Sequence, residues 1–227
     1  LGEGPDRDGA PIESLAPIAL PGKLSCIGLN YRANAAEADV ALPQFPTIFS
    51  RFSSSLIGHG ATILRQRDFV GELAVVVGRA ERRVPRGRAL EYVAGYSAFN
   101  DGSIRDIRLR TSQWKLGRNF DETGAIGSCF VKAEALPAGA SGLRLVTRLN
   151  GAGVQAGSTG DLIFDVATPD SELSDALTLR PGEVVVTGTP TGVGMARSAQ
   201  LFMKYGDICE VEGIGALRDP VRDKAPG

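Results

Sequence analysis

Four polar clusters flank short apolar runs in this sequence, and their side chains are of types that act as acids, bases or anion ligands. They occupy residues 28–37, 68–72, 100–106 and 187–194. Asn34 and Glu37 are three residues apart, so a helix would place them on one face. In the last cluster, glycines and hydroxyl residues could expose backbone N–H groups to an anionic ligand. Each cluster alone is typical of an ordinary turn, so only their order along the chain is informative.

The scarcity of histidine limits the available acid–base chemistry, because His59 is the only histidine in the chain. It lies between Gly58 and Gly60. One interpretation is an acid–base group that titrates near neutral pH. The other, which is commoner for a histidine in a loop, is a side chain in contact with solvent.

Short runs rich in β-branched residues, separated by Gly and Pro, must position these clusters. They predict strands at Leu24–Leu29, Leu73–Val77, Leu143–Leu149, Val184–Thr187 and Ile208–Val211. The run after Glu72 is continuously apolar, which is typical of a strand buried on both faces. Predicted helices are few and short: Tyr31–Ala38, Arg86–Tyr92, and one with Thr168 as N-cap and Pro169 in its first turn.

The elements together predict a mainly β fold with a few short helices. Residues 1–22 contain four prolines and are interpreted as an irregular lead-in. Residues 23–227 are interpreted as a single domain, because no linker long enough to divide them is present.

Composition excludes several classes of partner. The formal net charge of −1 gives no electrostatic reason to expect binding to nucleic acid or an anionic membrane. No apolar run approaches the roughly 20 residues that span a bilayer. Cys26, Cys129 and Cys209 are widely spaced and form no Cys-x-x-Cys pair. This pattern favours reduced thiols in a cytoplasmic protein over a disulfide framework or a zinc site.

The order of the clusters resembles the fumarylacetoacetate hydrolase family. The matching motifs are Gly-Leu-Asn-Tyr at 28–31, Ser-Ser-Leu-Ile-Gly at 54–58, Glu-Leu-Ala-Val-Val at 72–76, Ala-Gly-Tyr at 94–96, Asn-Asp-x-Ser-x-Arg-Asp at 100–106, Gly-x-x-Phe-Asp at 117–121 and Thr-Gly-Thr-Pro-x-Gly-Val-Gly at 187–194. The resemblance extends from about residue 23 to 221. It implies a mixed β-sandwich roll, a homodimer, and an enzyme whose small-molecule substrate passes through an enol or enolate.

The resemblance also implies a Mg²⁺ or Mn²⁺ ion held by three carboxylates, and this sequence departs from that pattern. Glu72 and Asp101 match two of the ligands, whereas Val70 stands at the position of the third. Because these cations prefer oxygen ligands, a valine contributes nothing. We therefore expect the metal to be bound weakly or lost.

The acid–base positions depart as well. Asn34 stands where the family has its catalytic histidine, although the partner carboxylate Glu37 is retained. Arg118 and Arg51 stand at family lysine positions, and each exchanges a point charge for a permanently charged planar group. One hypothesis is that an arginine lies between Glu72 and Asp101 and replaces the charge of the metal. The other is that Arg118 only conserves a positive charge for a substrate carboxylate.

These observations predict one pocket to which positions 37, 72, 101 and 118 all contribute. The expected catalytic residues are Glu37 and Arg118, and the expected substrate-binding residues are Tyr31, Asn34, Arg51, Arg105 and Thr189. The expected activity is hydrolysis of a C–C bond, decarboxylation, isomerisation or cyclisation of a β-dicarbonyl or 2-oxo acid. Metal-dependent hydrolysis is the least expected of these. The alternatives are a metal-independent cyclase or isomerase of a biosynthetic pathway and a catalytically degenerate ligand-binding homologue.

Overall fold

The computed structural model of the chain describes residues 16–18, 20–64, 68–108, 110–111 and 113–222, apart from the side chains of Leu64 and Arg105. Within these residues the strands are β1 (Leu24–Gly28), β2 (Thr47–Arg51), β3 (Leu56–Ile57), β4 (Ile63–Leu64), β5 (Gly71–Val77), β6 (Val93–Asp101), β7 (Gly124–Lys132), β8 (Arg144–Leu149), β9 (Ala152–Ser158), β10 (Val184–Val186), β11 (Ile208–Gly213) and β12 (Gly215–Arg222). The α-helices are α1 (Arg32–Glu37), α2 (Arg86–Ala89), α3 (Arg105–Arg108), α4 (Lys115–Arg118) and α5 (Ala167–Ala176). Short 3-10 turns cover Ser53–Ser55, Leu90–Tyr92, Ala133–Ala135, Ala138–Ala140, Thr159–Asp161 and Gly194–Ala196.

Seven strands form a mixed sheet in the order β2-β1-β10-β5-β6-β7-β3. The pairs β1–β10 and β3–β7 are parallel, and the other pairs are antiparallel. Every residue of β5 is buried. Leu73 and Val75 pack in a core that includes Leu173 of α5, while Ala74 packs on the opposite face with Phe99. The prediction of a strand buried on both faces is confirmed.

Five strands form the second sheet, in the order β4-β12-β11-β8-β9. Only the β12–β4 pair is parallel. Phe69 and Ala98 pack with Leu145, Val211 and Leu217 in a core that joins the two sheets. This arrangement confirms the prediction of a mainly β, two-sheet fold with few short helices.

The predicted N-cap of α5 was wrong. The helix begins at Ala167, after Val166, so Thr168 lies inside the first turn. Asp165 Oδ1 accepts hydrogen bonds from the backbone nitrogen of Thr168 at 3.2 Å and from its hydroxyl at 2.8 Å. An upstream aspartate thus supplies the acceptor that the first turn needs, which moves the helix start by two residues.

Two further expectations concern the ends of the chain and membranes. Most of the predicted lead-in, residues 1–15 and 19, lies outside the described residues, so that prediction is not tested there. The last five residues of the predicted domain lie outside them too. Across the described part of the chain, no helix has the length and hydrophobicity needed to cross a bilayer.

Candidate active site

The sheet register brings four distant segments together at one edge of the seven-stranded sheet, meaning the side where its central strands begin or end. Because β1 and β10 are parallel, both end at the edge where the antiparallel strand β5 begins. The end of β6 also reaches this edge, because Asn100 pairs with Gly71 and the nitrogen of Asp101 donates to the carbonyl of Val70 at 2.8 Å. The polar clusters that follow β1, β6 and β10 therefore meet the start of β5.

A cavity of about 470 Å³ lies at this edge. Its walls come from the end of β1 with α1, the start of β5, helices α3 and α4, and the segment after β10. The predicted site residues that line it are Asn34, Glu37, Glu72, Arg118 and Thr189. Val70, where the metal-binding pattern expects a carboxylate, lines it too.

Glu72 lies buried in the cavity wall, two residues after Val70. Side chains two apart on an extended chain share a face, so the isopropyl group of Val70 lies on the same side as the Glu72 carboxylate. Glu72 Oε2 accepts a hydrogen bond from the nitrogen of Gly188 at 2.7 Å. Burial raises the pKa of Glu72 to about 7, although the positive charge of Arg118 and the Gly188 hydrogen bond oppose the rise.

Two arginines hold the carboxylate of Asp101. Nη1 of Arg51 contacts Oδ1, and Nη1 of Arg118 contacts Oδ2. Asp101 is fully buried, and the two arginines are almost so. Burial lowers the pKa of both arginines to about 10, so both are charged at neutral pH.

Arg51 is engaged by the protein at every guanidinium nitrogen. Besides contacting Asp101, it donates from Nε to Ser55 Oγ at 3.3 Å, from Nη1 to the carbonyl of Gly102 at 3.1 Å, and from Nη2 to Thr123 Oγ1 at 2.6 Å. The prediction that Arg51 contacts substrate finds no support in this geometry, because the cavity wall does not include it.

Arg118 is the arginine of this pair that reaches the cavity. It is 4% exposed, and its guanidinium carbon lies 4.3 Å from the centre of the Phe49 ring. Its Nε has no hydrogen-bond partner among the described residues. A buried, positively charged side chain thus lies at the cavity wall.

The loop after β10 does not offer its glycine N–H groups to a ligand as the sequence suggested. Gly188 donates to Glu72, Gly192 donates to both oxygens of Glu37 at 3.1 Å, and Gly194 donates to Asp68 Oδ1 at 2.7 Å. Each of these donors is satisfied by a carboxylate of the protein. The anion-binding interpretation is therefore wrong for these three groups.

Asn34 and Thr189 line the cavity but also hold the same loop. Asn34 Nδ2 donates to the carbonyl of Pro190 at 3.2 Å, and Gln155 Nε2 donates to Thr189 Oγ1 at 2.9 Å. Tyr31 is 1% exposed, is absent from the cavity wall, and its hydroxyl has no partner among the described residues. The side chain of Arg105 lies outside the described part of the structure.

His59 lies apart from the cavity. Its Nδ1 accepts a hydrogen bond from the nitrogen of Arg218 at 3.0 Å, and the nitrogen of Gly60 donates to the carbonyl of Arg218 at 2.9 Å. These bonds fix the loop to β12. The geometry supports a structural role for this histidine.

Sequence reasoning missed Arg108 and Trp114, which both line the cavity. The guanidinium carbon of Arg108 lies 4.7 Å from the centre of the Trp114 ring. A Cβ at Gly28 would lie 2.7 Å from the same ring, so this close approach requires glycine. Their position between the motifs at 100–106 and 117–121 was the available signal, because both motifs flank the site.

The residues present do not fit the divalent cation that the resemblance implies. Val70 supplies no oxygen, and both oxygens of Asp101 are in contact with guanidinium groups. Among the described residues, no group of three His, Cys, Asp or Glu side chains is placed to hold a metal ion. Hard divalent cations need several free oxygen ligands, which this donor set does not provide.

A concave, mostly apolar cavity with a few polar groups in its wall is the usual form of a small-molecule site. Residues 23–222 match the family described as fumarylacetoacetate (FAA) hydrolase C-terminal. The chain belongs to the fumarylacetoacetate hydrolase family, as its motifs indicated.

Three relatives illustrate the range of the family. The fumarylacetoacetate hydrolase domain-containing protein 2 homolog of Dictyostelium discoideum is 40% identical over 93% of this chain and 76% of its own length. The mitochondrial oxaloacetate tautomerase Fahd2a of Rattus norvegicus is 36% identical over 92% of this chain and 69% of its own. The crystal structure of 5-carboxymethyl-2-hydroxymuconate delta-isomerase from Mycobacterium smegmatis superposes with a TM-score of 0.82 at 33% identity, over 94% of this chain and 83% of that one.

Proposed function

We propose that this protein interconverts the keto and enol forms of an anionic 2-oxo acid or β-dicarbonyl compound. The observation that carries the proposal is the pairing, on one cavity wall, of a carboxylate, Glu72, with a guanidinium group, Arg118. A tautomerase needs these two functions and no others: a group that moves a proton and a charge that stabilises the enolate.

The reaction moves one proton from a carbon atom to an oxygen atom of the substrate, or back again. A carboxylate, Glu72 or Glu37, takes the proton from the carbon next to the carbonyl group. The electrons of that C–H bond form the C=C bond, and the carbonyl oxygen becomes an enolate oxygen held by Arg118. Return of the proton to this oxygen gives the enol, so atoms and charge balance without water or a cosubstrate.

Hydrolysis is less well supported than tautomerisation. Family hydrolysis is expected to use a histidine to activate water, and Asn34, which stands at that position, has no titratable group. The names of two relatives, an oxaloacetate tautomerase and a delta-isomerase, are consistent with proton-transfer chemistry at this site.

A cyclase or a ligand-binding homologue is the second candidate. The side chains of Val40, Trp114, Val193 and Met195 give the cavity a largely apolar wall. Such a wall suits a substrate with an apolar body as well as an anionic group. A shaped pocket alone can promote cyclisation by holding reacting atoms together.

The test is the rate at which the enol of oxaloacetate, or of an acylpyruvate, converts to the keto form, followed by ultraviolet absorbance. We expect Arg118→Met to lower kcat/KM by about 100-fold. Glu72→Gln and Glu37→Gln should identify the proton carrier by a similar loss in one of the two. Arg86→Met, at an exposed ion pair with Asp165, is the matched control and should change nothing.

Failure of the wild-type protein to accelerate either conversion would overturn the proposal. Tight binding of a polycyclic enolic compound by that inert protein would then favour the second candidate. The homodimer and the cytoplasmic location remain predictions, and light scattering with size-exclusion chromatography tests the first.

A further inference from the structure

We propose that the Arg118 guanidinium, fixed by Asp101, occupies the place of a divalent cation and lets the cavity bind an anionic ligand without metal. The inference deepens the proposed function, and it concerns how the same site recognises its ligand. The ligand class is a 2-oxo acid, or its enolate, with oxygens on two adjacent carbons.

The first step of the argument is that Arg118 is held in place. Asp101 is fully buried, and its Oδ2 contacts Arg118 while its Oδ1 contacts Arg51. Arg51 is fixed in turn by Ser55, Gly102 and Thr123. A carboxylate held from behind in this way orients Arg118 as a metal ligand orients a metal, because neither partner can turn away without burying an uncompensated charge.

The second step is that the protein leaves part of the donor capacity of Arg118 unused. Its Nε has no hydrogen-bond partner among the described residues, and the residue lines the cavity. A buried guanidinium donor without a partner is uncommon, because such a group is normally satisfied. The planar fork of an arginine suits two oxygens at once, which is the geometry that a 2-oxo acid presents.

The third step is where the positive charges lie at the site. Arg51 and Arg118 together balance the charges of Glu72 and Asp101, and at the cavity wall Arg108 balances the charge of Glu37. A divalent cation entering here would approach positive groups at close range, with no free oxygen from Val70 or Asp101. Arg118 and Arg108 are the positive groups that a dianion in the cavity would contact.

Oxalate is the probe that tests the inference, because it has two adjacent carboxylates and no reactive bond. We expect oxalate to bind the wild-type protein with the same Kd, within about twofold, in EDTA and in millimolar MnCl2, when each Kd refers to the oxalate that Mn²⁺ leaves free in solution. Arg118→Met should weaken oxalate binding by about 50-fold, and Arg118→Lys by about tenfold, because lysine keeps the charge but loses the fork. Arg86→Met is the control with unchanged binding.

Titration of the wild-type protein with MnCl2 alone, by calorimetry and electron paramagnetic resonance, is the second arm. No binding at micromolar concentration supports the inference. The double variant Val70→Glu/Arg118→Lys, which restores the third carboxylate, should gain Mn²⁺ binding. If that variant does not fold, the wild-type measurements still decide.

One-to-one binding of Mn²⁺ by the wild-type protein with a micromolar Kd, or oxalate binding that requires Mn²⁺, would overturn the inference. This failure is distinguishable from failure of the proposed function. A protein that binds oxalate in EDTA but does not accelerate enol conversion keeps the inference and loses the tautomerase proposal.

Discussion

Nη1 of Arg118 contacts Oδ2 of Asp101 directly, and both residues are buried. Seventeen residues separate the two in sequence, and the carboxylate would otherwise be a candidate metal ligand. In the proposed metal-free binding, the charge of Arg118 takes the place of a metal cation. The consequences of this pair for stability and binding can be measured directly.

Replacement of Asp101 by asparagine should destabilise the protein. The change leaves Arg51 and Arg118 buried without their counterion, and loss of one partner of a buried pair costs about 3 kcal/mol. Urea denaturation measures the free energy of unfolding. Glu134→Gln removes an exposed partner of Lys132 and should cost less than about 1 kcal/mol. Equal losses in the two variants would contradict the buried pairing.

Replacement of Gly28 by alanine should disturb the cavity rather than the core. The added Cβ would lie 2.7 Å from the Trp114 ring, so the ring has to shift. We expect oxalate affinity to fall by about fivefold or more, measured by calorimetry. The matched control is Gly87→Ala in α2, where an added Cβ meets no atom within 4 Å. An unchanged affinity in Gly28→Ala would show that Trp114 does not shape the site.

The buried acid pair Glu81 and Asp170 should make stability depend on pH. Burial, with the charge of Asp170, raises the pKa of Glu81 to about 8, and burial raises that of Asp170 to about 6. The folded state therefore holds protons that the unfolded chain releases, so the contribution to stability falls as pH rises from the usual carboxyl range towards about 8. Tyr96 packs near the pair, and the charge of Asp170 adds to the burial that raises its pKa to about 12.

Glu81→Gln tests this dependence, because glutamine resembles the protonated acid. We expect the variant to match the wild type near pH 5 and to exceed its free energy of unfolding by about 2 kcal/mol near pH 9. Thermal and urea denaturation across this range provide the measurement. Glu134→Gln, at an exposed ion pair with Lys132, is the control and should show no such divergence. Parallel curves for Glu81→Gln and wild type would contradict the raised pKa of Glu81.

Replacement of His59 by alanine should leave ligand binding unchanged. The side chain lies outside the cavity wall, and its Nδ1 accepts one hydrogen bond from the nitrogen of Arg218. Loss of that acceptor should cost about 1 kcal/mol of stability, measured by urea denaturation. A loss of enol conversion larger than this destabilisation explains would restore the acid–base interpretation of His59.

Local pattern was enough to predict much of the fold. The continuous apolar run 73–77 has to be buried on both faces, and the glycine and proline residues between the runs mark the turns. The predicted start of α5 was wrong, because the side chain of Asp165, and not that of Thr168, accepts the hydrogen bond of the first turn. Such competition between neighbouring acceptors is decided by backbone geometry, which the residue types alone do not specify.

The sequence by itself determined which chemical groups the site contains: a glutamate at 72, no oxygen at 70, and arginines at 51 and 118. Only the tertiary structure decided how these groups pair. Asp101 pairs with both arginines, and glycines of the loop after β10 donate hydrogen bonds to carboxylates of the protein. Trp114 and Arg108 line the cavity. The reason is that such pairings join residues far apart along the chain, and strand register and burial, rather than residue type, set which of several compatible partners lies within reach.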